Sequence, residues 1–230
     1  MNKHKKFFEA EYLVFARKWR PVVMFLSLLI VCTVNFFISG VFWQIAVLTG
    51  PLLSVAILCF MDYFVFAGFN SRKSIGMDLM KSSVKGGALV EAALKQDIVN
   101  KSIYVLTAST AALVSIFIFN ENIDHPFVIA YTIAAFSSCQ VLLRISLLID
   151  RAKGLTMQVH IFIFYLCYSV GSLILIPLIF ISENINLPLM IGYAVIAETG
   201  SVLTGIWLIR SCIKAYDASM HDASEDKGKA

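Results

Sequence analysis

Glu198 is the residue of this chain best placed to do chemistry. It stands midway along the apolar run Leu187 to Ile209, roughly 16 Å from either end of a helix that rises 1.5 Å per residue. An ionised acid at that depth in a bilayer is costly without partners, so it is expected to face the interior of a helix bundle and to be paired, hydrated or protonated. Gln140 lies at a similar depth in a second apolar run, Tyr168 lies so in a third, and Ser201 shares the Glu198 side of its helix. Glu198, Gln140, Tyr168 and Ser201 therefore make a candidate midplane polar cluster. Its chemistry would be that of a proton or ion relay, or of a coordination point for a polar substrate. The competing role is a hydrogen-bonded knot that fixes helix packing. Asp62 and Arg144 sit at matching depths of roughly 26 to 28 Å from the outer face. They are a candidate intramembrane ion pair, read as structural, although the long Arg144 stem also permits snorkelling to the interface.

Other chemistry finds little support. His125 adjoins Asp124 and Glu121, but the second copy of this segment reads Asn186-Leu187, so a capping or turn role is expected. The cysteines at 32, 59, 139, 167 and 212 have no close spacing to one another or to histidine, so neither a disulfide nor a metal site is expected. The sequence contains no HExxH, no bis-histidine helix pattern, no GxSxG and no Gly-rich phosphate loop. We expect no catalytic residue, no cofactor and no enzyme activity.

The elements that position the cluster follow from composition. Of 230 residues, 59% are hydrophobic and 15% charged, against about 25% charged in soluble domains, and the mean hydropathy is +0.80. The lipid bilayer is the solvent. Runs long enough to cross it lie at Pro21 to Ser39, Val41 to Phe66, Ile103 to Phe119, Pro126 to Ile149, Val159 to Ile181 and Leu187 to Ile209. The fold class expected is thus an all-α integral membrane protein with six transmembrane helices arranged as three hairpins.

Two segments repeat. Glu121-Asn122-Ile123-Asp124-His125-Pro126 through Tyr131 returns as Glu183-Asn184-Ile185-Asn186-Leu187-Pro188 through Tyr193, at an offset of 62 residues. Each reads as a polar turn followed by a helix with proline in its first turn. The last two hairpins are therefore read as a parallel internal repeat, in which Phe136 stands where Glu198 stands in the second copy. The 19 Lys and Arg avoid the turns near Gly40, Glu121 and Glu183. By the positive-inside rule both termini are cytoplasmic, in a multi-pass protein of a bacterial inner membrane. The net charge of +4 is read as a topology signal and not as a nucleic-acid footprint.

The expected organisation is an interfacial amphipathic helix over 1–20, hairpin 1 over 21–68, a cytoplasmic amphipathic loop over 69–101, hairpin 2 over 102–150, a turn over 151–158, hairpin 3 over 159–211 and a polar tail over 212–230. The loop reads as two short helices hinged at Gly86-Gly87, with Val90, Leu94 and Ile98 as the stripe of the second. Two functions follow. One is a small transporter or channel-type subunit whose path passes Glu198. The other is a non-enzymatic interaction subunit, exclusion factor or immunity factor of an envelope or secretion machine. That second role would use the N-terminal helix and residues 71–101 to meet a membrane or cytoplasmic protein partner. Small residues along the spans would also suit a homo-oligomer.

Overall fold

The structure is a computed structural model and describes residues 20–64, 86–120, 123–153 and 187–227. Among the described residues it is all helical, with α1 at Arg20–Ser39, α2 at Trp43–Phe64, α3 at Gly86–Phe119, α4 at His125–Lys153 and α5 at Leu187–Lys227. Each contains a segment long and apolar enough to cross a membrane, which is compatible with a multi-pass membrane protein. The expected first, second, third, fourth and sixth spans coincide with these helices. The fifth, Val159 to Ile181, lies outside the described residues, as does the N-terminal amphipathic helix up to residue 19.

Chain direction can be read from side-chain partners. Ser27 meets Tyr104 (Oγ to Oη, 2.8 Å) and Phe36 meets Phe119, so α1 and α3 run the same way. Trp43 meets Tyr131 and Cys59 donates to Ser146, which makes α2 and α4 parallel. Ser138 meets Tyr193, Val141 faces Gly200 and Arg144 reaches Ser201, so α4 and α5 are parallel as well. The bundle therefore has a turn end, carrying Gly40 and Asn120, and a basic end, carrying Arg151 and Lys153. The α3 helix is the hub and packs against each of the other four.

Local sequence explains the boundaries. Val41 and Phe42 both donate backbone N–H to Ile38 O (3.0 and 2.9 Å), closing the first turn, while Asn120 Nδ2 ties the second turn to Ser39 O (3.2 Å). Asp124 O accepts from Val128 N (3.1 Å) and opens α4, and His125 sits edge-on to Phe117 (4.8 Å between centroids). His125 is exposed, in keeping with a turn role.

Two helices run further than the sequence suggested. Gly86-Gly87 begins α3, which continues unbroken through residues 86–101 into the span. The α5 helix continues past Cys212 to Lys227, because the chain meets no Gly or Pro between Gly205 and Gly228.

Candidate functional site

The polar residues of the spans gather at the junction of α3, α4 and α5, and α5 decides which of its side chains enter. Its buried positions among the described side chains are Met190, Ala194, Ser201, Gly205, Leu208 and Cys212, a seam of three-, four- and seven-residue steps. Glu198 lies on the flank of that seam. It is exposed, at the rim of the α4–α5 contact and not wholly inside it, yet its Oε2 accepts a 2.7 Å hydrogen bond from Ser137 Oγ. Ser137 itself is fully buried. A hydroxyl of α4 thus holds the carboxylate at the helix seam.

Arg144 supplies the cation. Its side chain crosses Gly205, where an added Cβ would lie 3.2 Å from Nη1 and 3.6 Å from Cδ. Nη1 then donates to Ser201 Oγ at 2.7 Å and to the Ser201 carbonyl. The guanidinium therefore points along α5 from Gly205 toward Ser201. Ser201 and Gly205, one turn apart on α5, line the slot in which this side chain lies. From α3, Ser102 Oγ donates to Gln140 Oε1 (3.1 Å) and receives a long contact from Arg144 Nη2 (3.5 Å).

Of the residues expected in the cluster, Gln140, Ser201 and Glu198 come into one layer. Tyr168 lies outside the described residues. The Asp62 side chain also lies outside them, and the partners described for Arg144 are on α3 and α5. Sequence reasoning did not single out Ser137, Ser102, Ser138 or Tyr193. Ser and Thr in spans are frequent and usually bond their own helix, as Thr107, Ser109 and Thr132 do here.

A second polar feature lies nearer the basic end. Asp97 and Lys101 form an ion pair of 2.9 Å with side chains 0% and 1% exposed. No group of three or more His, Cys, Asp or Glu suited to a metal ion occurs among the described residues.

No family profile, curated protein or solved structure matches this chain.

Proposed function

We infer that this protein is a six-span membrane transporter or channel-type subunit whose conducting path passes the layer of Glu198, Gln140, Ser201 and Arg144, the depth at which the sequence also puts Tyr168. The observation that carries this reading is Glu198 itself. A carboxylate midway along a span, hydrogen-bonded by a buried serine of the neighbouring helix and three residues from the Ser201 that Arg144 binds, is an arrangement expected where protons or ions are relayed. Packing alone requires no acid there, and the first repeat copy manages with Phe136.

The parallel course of α4 and α5 supports the sixth span. Lys153 is at the basic end and Leu187 at the turn end, so the chain between them has to cross the height of the bundle. Val159 to Ile181 is apolar and long enough to do it. With cysteines introduced singly at Gly154 and Asn186 in a cysteine-free background, an impermeant maleimide is expected to label Asn186 from outside a bacterial inner membrane and Gly154 from the cytoplasm alone. Labelling of both from one side overturns the six-span reading.

The functional experiment is proton flux into liposomes containing the purified protein, followed with an enclosed pH dye under an imposed potassium potential. Glu198→Gln is expected to insert and pack normally and to abolish the flux, with Ser137→Ala reducing it. Unchanged flux in Glu198→Gln overturns the reading. The interaction-subunit alternative has less surface to draw on than its sequence promised, because Leu94 is fully buried and Ile98 packs against the same core.

A further inference from the structure

The layer beside Glu198 has more donors than acceptors. Arg144 Nη1 is occupied by Ser201, but among the described residues Arg144 Nε is buried without a hydrogen-bond partner. Gln140 is 1% exposed; its Oε1 is taken by Ser102, while its Nε2 is buried and also unpartnered. Both donors belong to side chains whose other polar atoms meet at one hydroxyl, Ser102 Oγ. Leaving two buried N–H groups unpaired is unfavourable, and one of them belongs to a cation.

We propose that this layer binds a small monocarboxylate, an assignment that rests on the transport reading of the same site. Three features select the class. The vacant groups are donors, so the ligand must supply acceptors. The Nε and Nη2 edge of a guanidinium matches the two oxygens of a carboxylate in one plane, and here Nε is vacant and Nη2 only weakly engaged. Gln140 Nε2, one helical turn before Arg144, adds a third donor. The charge is also limiting: Arg144 is the cation of the layer and Glu198 already stands near it. Asp97 and Lys101 on α3 are paired with each other. A single negative charge therefore fits better than a phosphate or a dicarboxylate.

The assignment is tested with lactate as the probe. Radiolabelled lactate uptake is measured in liposomes containing the full chain, and lactate protection against thermal unfolding is measured in detergent against sodium chloride at equal ionic strength. Gln140→Leu and Arg144→Lys are each expected to lower uptake roughly tenfold or more, the scale of one lost hydrogen bond to a charged group, and to remove the protection. Gly205→Ala, which crowds Arg144 while keeping its charge, is expected to weaken both readouts if it folds. Circular dichroism and gel filtration identify variants that fail to fold. Lactate uptake and protection that are indifferent to Gln140→Leu and Arg144→Lys overturn the assignment. Proton flux that depends on Glu198, with no lactate binding, overturns it too and leaves the transport reading standing. Loss of both, with no flux of any kind, overturns the two together.

Discussion

Lys101→Met is expected to destabilise the protein by about 3–5 kcal/mol, the usual cost of removing one member of a buried ion pair and leaving the other charge in a low-dielectric site. The pair it breaks is 2.9 Å long and closed to solvent on both sides. At four-residue spacing on the same helix, Glu91 and Lys95 make an ion pair of 2.5 Å that is 42% and 54% exposed. Identical spacing and opposite burial make this an internal control. Lys95→Met removes a pair that water already screens and should change stability by no more than ~0.5 kcal/mol. Replacing both buried charges, as Asp97→Leu with Lys101→Met, also removes the carboxylate that has lost its Lys101 partner and should recover most of the loss. The measurement is the midpoint of unfolding in a mixed-micelle SDS titration. A Lys101→Met midpoint as mild as that of Lys95→Met would show that the interior around Asp97 is wet.

That pair also shows how sequence periodicity misleads. Val90, Leu94 and Ile98 recur every four residues and were read as the stripe of a short surface helix. Steps of four advance 400° on a helix of 3.6 residues per turn, so such a stripe drifts by about 40° at each step. The face that α3 buries mixes steps of three and four instead, through Leu94, Asp97, Lys101, Tyr104, Ala108 and Ala112. Asp97 and Lys101 lie on this line, but charged types argued for solvent and hid it. The apolar runs were legible because length and hydrophobicity alone identify a candidate span. Side-chain direction was not. Depth along the helix put Arg144 near the basic end, but its stem is long enough to lean either way, and only the space above Gly205 turns it toward Ser201. The position of Glu198 along its run is read from the sequence, whereas its place on the rim depends on which face α4 covers.

Gly50→Ala is expected to destabilise by ~1–3 kcal/mol, the range for overpacking a filled core, although alanine is the better helix former. Gly50 sits where three helices meet. An added Cβ would fall on Asn35 Nδ2 of α1, 3.2 Å from its Cγ and 3.4 Å from Ala108 O of α3. Asn35 is 1% exposed, so its amide has nowhere to retreat, and the backbone of α3 closes the other side. Gly192 is the comparison: among the described residues its Cβ would meet nothing within 4 Å, and it lies inside a helix, where replacing glycine by alanine gains about 0.5–1 kcal/mol. One substitution type therefore carries opposite signs at two helical positions of one protein, and space alone decides between them. The compensating change is Asn35→Ala. It removes the side chain that the new methyl strikes, together with two buried polar atoms that have no hydrogen-bond partner, so the Asn35→Ala, Gly50→Ala double variant should be more stable than Gly50→Ala alone. A double variant that is less stable than Gly50→Ala would mean that the pressure falls on Ala108 O, and that α1 and α3 are held apart by backbone and not by the asparagine.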